Sequence, residues 1–96
     1  MFTIFGYGGC VYCDKAKELL TDNEQGYTYV DVTTEGGAKY LKSVAEEFNL
    51  GELGSVPQIF YGLNNELGGH YIGGHSKLVW FLSSFKFKQM SLTVTK

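Results

Sequence analysis

The stretch Ile4-Phe5-Gly6-Tyr7-Gly8-Gly9-Cys10-Val11-Tyr12-Cys13-Asp14 constrains this chain more than any other. A short apolar run breaks at a glycine-rich turn, and the turn delivers two cysteines, the only two in the protein, onto the first turn of an expected helix. A helix start leaves backbone N–H groups unpaired and carries partial positive charge, so it favours an anion placed there. Cys10 stands at that point. Its thiolate is therefore expected to gain over its thiol, moving the pKa down from about 8.5 into the range ~3.5–7.5. Cys13, one turn on, faces the same side and reaches Cys10 to close a disulfide. Those are the parts of a thiol–disulfide exchanger.

The rest of the composition narrows the setting. A chain of 96 residues supports one core. Its 44% hydrophobic and 16% aromatic content is enough to build that core and argues against disorder. The formal net charge of -2 has no basic block behind it, so electrostatic binding to nucleic acid is not expected. No apolar run reaches the ~18–20 residues of a membrane span. Met1-Phe2-Thr3-Ile4-Phe5 enters a strand pattern directly, without the charged leader of a signal peptide. CxxC beside a βαβ pattern reads as an intracellular redox motif, which places the expected compartment in the cytoplasm.

In chain order, Phe2–Phe5 is aromatic and β-branched, as in a central strand. From Val11 to about Asn23, Tyr12, Cys13, Ala16, Leu19 and Leu20 recur at helical spacing, with Gly26 as the expected stop. Residues 27–32 form a second strand, parallel to the first through a right-handed crossover. Thr33 and Thr34 can cap a helix over 35–48 whose inner face is Leu41, Val44, Ala45 and Phe48. It ends at Asn49 and Gly51. Ser55–Tyr61 holds the only proline, Pro57, just before an apolar strand. Residues 62–69 form a hairpin connection with Asn64-Asn65 at the tip, and His70–Ile72 is the return strand. Gly73-Gly74 leads into a last helix over 76–85, with Leu78, Val79, Phe81, Leu82 and Phe85 on its apolar face and Trp80 half exposed. The domain is placed at 1–85, leaving 86–96 as an unassigned tail, a frayed end or a short strand.

The resulting order, β-α-β-α-β-β-α, resembles the glutaredoxins. The stretches that carry the likeness are Thr3-Ile4-Phe5-Gly6, Cys10-Val11-Tyr12-Cys13, Val56-Pro57-Gln58-Ile59-Phe60 and Ile72-Gly73-Gly74. Valine between the cysteines, where most members have proline, is similar to some bacteriophage-encoded ones, for which the compartment would be the host cytoplasm. The resemblance implies an α/β, thioredoxin-like fold: a four-stranded mixed sheet flanked by three helices. It implies a monomeric thiol–disulfide oxidoreductase with glutathione as reductant. Its substrates would be protein disulfides, ribonucleotide reductase among them, and glutathione mixed disulfides. Cys10 would be the nucleophile and Cys13 the resolving thiol.

It further implies a cis Val56-Pro57 bond that turns the Val56 backbone toward the thiols; an ordinary trans proline opening an edge strand is the plainer alternative. Glutathione would then contact Tyr12, Val56, Pro57, Gly74, His75 and Ser76, its γ-glutamyl carboxylate lying on the amides that open the last helix.

Departures from the family pattern bear on that ligand. Tyr7 stands where a Lys or Arg usually meets the glycine carboxylate, and a phenol brings no charge. Lys39 or Lys42 is the candidate substitute, although solvated helix lysines are the plainer reading. Lys77 stands where an aspartate often meets the γ-glutamyl ammonium. Val11 in place of proline returns an N–H to the loop. Cys10, Cys13, His70 and His75 also have the ligand types of a zinc site. The run between the pairs far exceeds the ~12–15 residues of a small zinc finger, and no metal is expected. His75 could instead support the Cys10 thiolate, against the simpler role of a polar helix start. Three alternatives remain: a thioredoxin-like donor reduced by a flavoprotein reductase, a module binding an iron–sulfur cluster through Cys10 and glutathione, and a redox-silent adaptor.

Overall fold

The computed structural model describes residues 1–63 and 68–94, the side chains of 85–94 apart. The elements are β1 (Phe2–Gly6), α1 (Val11–Asp22), β2 (Tyr27–Asp31), α2 (Glu35–Glu47), β3 (Gln58–Tyr61), β4 (His70–Gly73) and α3 (His75–Val94). The strands make one mixed sheet in the order β2-β1-β3-β4, as a thioredoxin-like fold requires. β1 runs parallel to β2, with Ile4 beside Tyr29 and Gly6 beside Asp31, and antiparallel to β3. β3 pairs antiparallel with β4. All five residues of β1 are buried, which explains its lack of polar alternation: an interior strand covered on both faces has no side to give to water.

Each face has its own core. Phe2, Ile4 and Ile59 pack with Ala16 and Leu20 of α1 and Leu78 and Leu82 of α3. Phe5 and Phe60 pack with Val44 of α2, where Leu41 and Phe48 close the edge. Ring contacts tie these layers, Phe5 and Phe48 each meeting Phe60 edge-on at 5.6 and 5.4 Å.

The helix ends differ in part from expectation. α1 ends at Asp22 with Asn23 as its cap, where the spacing places its end, and the stop is made before Gly26. Glu24, at φ 57°, takes the left-handed turn, its N–H reaching Thr21 O at 3.0 Å and the N–H of Gln25 reaching Leu20 O at 2.8 Å. α2 ends the same way at Asn49 (φ 55°), with the Leu50 N–H on Ala45 O at 2.9 Å. At its start Thr34 Oγ1 accepts from the Gly37 N–H at 2.9 Å. α3 continues to Val94 instead of ending at Phe85, so 86–94 extends the last helix. Val79 and Trp80 are 42% and 71% exposed, so the inner face is narrower than the apolar count suggests. The Asn64-Asn65 tip and the Phe85 side chain lie outside the described residues. No helix among the described residues is long and apolar enough to cross a membrane.

Candidate active site

The turn after β1 sets the first cysteine. Gly9 has φ 86°, a conformation glycine adopts without cost, and it brings the Cys10 N–H back to Tyr7 O at 3.3 Å. Cys10 is the N-cap of α1 in extended conformation, and its Sγ accepts from the Cys13 N–H at 3.1 Å. The helix-start amide thus points at the sulfur itself, the arrangement that favours a thiolate when the sulfur is free. Cys10 and Cys13 form a disulfide with their Cα atoms 5.2 Å apart. Their environments differ: Cys10 is partly exposed, whereas Cys13 is fully buried.

Two other segments close on this turn. Val56-Pro57 is a cis bond, as the resemblance implies, and Val56 O lies 3.9 Å from Cys10 Sγ. A chain of hydrogen bonds steadies the approach. The Tyr71 hydroxyl of β4 donates to Gln58 Oε1 at 2.6 Å, and Gln58 Nε2 donates to Ser55 O at 2.9 Å. Burial pushes the Tyr71 phenol above its usual pKa, so it stays a donor. The third segment follows β4. A register shift between Ile59 and Phe60 leaves Ile72 as an extra residue, and Gly73, at φ 117°, turns the chain toward α3. A Cβ on Gly74 would be 3.7 Å from Pro57 O, so the two motifs abut. The Tyr12 and His75 rings meet at 5.6 Å, joining the first turns of α1 and α3.

The structure therefore gathers Cys10, Cys13, Tyr12, Val56, Pro57, Gly74 and His75 from three segments at one end of the sheet. Ser76 adjoins them and opens a cavity of about 450 Å³ with Lys77, Tyr71 and Trp80. Tyr7 and Val56 border a larger cavity of about 1000 Å³, and Lys42 lines it too. Lys39 does not; it pairs with Glu35 at 3.2 Å on the exposed side of α2. Lys15 lies over the Tyr12 ring at 5.1 Å, and the stem of Lys77 lies against Gly73. His70 is in β4, and no group of three or more His, Cys, Asp or Glu able to hold a metal occurs among the described residues.

Sequence reasoning missed Ser55, Gln58 and Tyr71 as supports of the site. One signal was available, since Gln58 is a polar residue opening an otherwise apolar strand, and such a residue needs buried partners.

Comparison with known proteins agrees with this geometry. The family model described as Glutaredoxin matches residues 2–66. The glutaredoxin of Enterobacteria phage T4 is 31% identical over 80 residues, covering 72% of this chain and 90% of that protein. The structure of reduced Escherichia coli glutaredoxin superposes with a TM-score of 0.63 at 30% identity, over 86% of this chain and 93% of the other. A buckwheat glutaredoxin–glutathione complex gives a TM-score of 0.66 at 20% identity, over 93% of this chain and 74% of the other, a likeness of fold.

Proposed function

Because the chain belongs to the glutaredoxin family and is a thiol–disulfide oxidoreductase, we propose that it draws its electrons from glutathione. It spends them on protein disulfides and on glutathione mixed disulfides. The observation that carries the division of labour is the asymmetry of the pair. Cys10 is accessible and has a helix amide on its sulfur, whereas Cys13 is sealed beneath it. Cys10 is thus the attacking thiolate and Cys13 the resolving thiol.

On a protein disulfide, the Cys10 thiolate attacks one substrate sulfur, and the other substrate sulfur leaves with the electron pair. Cys13 then attacks Cys10, the bond to substrate breaks, and the second substrate thiol is released. Two glutathione thiols return the pair to the dithiol and leave as glutathione disulfide. On a glutathionylated substrate Cys10 alone suffices, passing the glutathione to a second molecule.

Several features support a glutathione seat. The Val56 backbone lies beside Cys10, able to pair with an extended peptide. The amides of His75 and Ser76 open α3 next to the Tyr12 ring, a place for a carboxylate. Lys42 lines the cavity that Tyr7 borders, supplying the charge Tyr7 lacks for the second carboxylate.

The test is a disulfide-reduction assay with glutathione as the only reductant. Cys10→Ser is expected to abolish all exchange; Cys13→Ser is expected to remove dithiol turnover and spare deglutathionylation. Retention of full activity by both variants would overturn the mechanism. Tyr7 and Lys77 favour a second reading, electron supply by a flavoprotein reductase. Turnover with such a reductase and none with glutathione would select it.

A further inference from the structure

One polar group beside the disulfide has no task in the exchange described above. Tyr29, in β2, packs on the face of the sheet covered by α1, with Lys17 Nζ 3.6 Å from its ring centroid. Its hydroxyl oxygen is shut off from solvent and has no hydrogen-bond partner among the described residues. Such orphaned groups are rare because water has been given up with nothing in exchange. The hydroxyl's position is informative. The point a Cβ on Gly6 would occupy is 2.5 Å from Cys13 Sγ and 3.3 Å from the Tyr29 hydroxyl, so sulfur and hydroxyl border the same spot over Gly6.

Tyr29 therefore lacks a partner in the form where Cys13 is tied up in the disulfide. Opening that bond frees the Cys13 sulfur to turn toward the hydroxyl and accept from it, weakly as a thiol and strongly as the thiolate, in a place where Cys13 is fully buried and water cannot serve it. We infer that the Tyr29 hydroxyl donates a hydrogen bond to the Cys13 sulfur in the reduced protein, and that this bond biases the couple toward the dithiol.

Burial, with the Asp31 and Asp14 carboxylates adding to it, holds the phenol above its usual pKa, which keeps Tyr29 a donor rather than a base. When Cys13 attacks the mixed disulfide, its electron pair forms the bond to Cys10 and the substrate sulfur leaves with the pair of the broken bond. The proton of the Cys13 thiol passes to that leaving thiolate as the new bond forms. Tyr29 keeps its own proton and loses only its acceptor.

The inference rests on the Cys10–Cys13 pair cycling between dithiol and disulfide, not on glutathione as the electron source. It is tested with the full chain at fixed pH, equilibrated against oxidised and reduced dithiothreitol. Tyr29→Phe keeps the ring and its contact with Lys17 while deleting the orphaned hydroxyl. The expected result is a shift of about tenfold toward the disulfide, equivalent to a two-electron potential about 30 mV more negative. Denaturant unfolding of the two redox forms closes the same cycle independently, the oxidised variant gaining on the reduced one by that factor. An equilibrium constant unchanged within experimental error, or moved toward the dithiol, would overturn the inference. Failure of the glutathione assay would leave this equilibrium untouched, so the two readings fall separately.

Discussion

Gly6 carries no side chain, and the sulfur of Cys13 uses the space a methyl would take. A Cβ there would stand 2.5 Å from Sγ and 3.2 Å from Cβ of Cys13. Gly6→Ala is therefore expected to lower the unfolding free energy of the oxidised protein by about 1–3 kcal/mol, the usual range for overpacking a filled interior. Denaturant titration against wild type checks it, and an unchanged midpoint would show that Cys13 has room to move. The cysteines themselves were legible at this scale because their chemistry depends on a local pattern, turn then helix start. Tyr29 was not. Which β2 residue reaches the space above Gly6 depends on the register Ile4 to Tyr29, which arises only when two strands distant in sequence align.

Just past the Asn23 cap of α1 stands Glu24, a residue with a Cβ in a backbone region that suits glycine. The capping bonds from Glu24 and Gln25 hold it there despite the cost of about 1–2 kcal/mol for an L-residue with left-handed backbone. Glu24→Gly keeps those bonds and removes most of the strain. It is expected to raise stability by about 0.5–1 kcal/mol, visible as a higher thermal midpoint with exchange activity unchanged. The existence and type of each element were readable because periodicity is a property of the segment alone. Ends were harder. Gly26 looked like the natural stop, yet Leu20 and Thr21 found their partners sooner. In α3 the apolar residues surround the helix, so their spacing could not say that Leu78 and Leu82 would be buried while Val79 and Trp80 were left outside.

For the molecule as a whole, the sheet order puts β1 and β3 side by side, and their ends carry the cysteine turn and the Val56-Pro57 turn to one end of the sheet. The α3 start joins them through Gly74 and His75. Each motif could be found in the chain, but the support from Tyr71 through Gln58 to Ser55 crosses two strands and a loop and had no local signature. Lys77, exposed near the α3 start, lines a cavity with Ser76, whose amide belongs to the carboxylate seat proposed above. Lys77→Asp is expected to tighten glutathione binding by up to about fivefold, the scale of an exposed ion pair worth ~1 kcal/mol. Unchanged or weaker binding would remove Lys77 from the site. The means of following that titration are already in the chain. Trp80, its sole indole, stands 71% exposed on the rim of the cavity shared with Ser76 and Lys77. Its emission therefore offers an optical gauge of occupancy at that end, readable without a dye or a label.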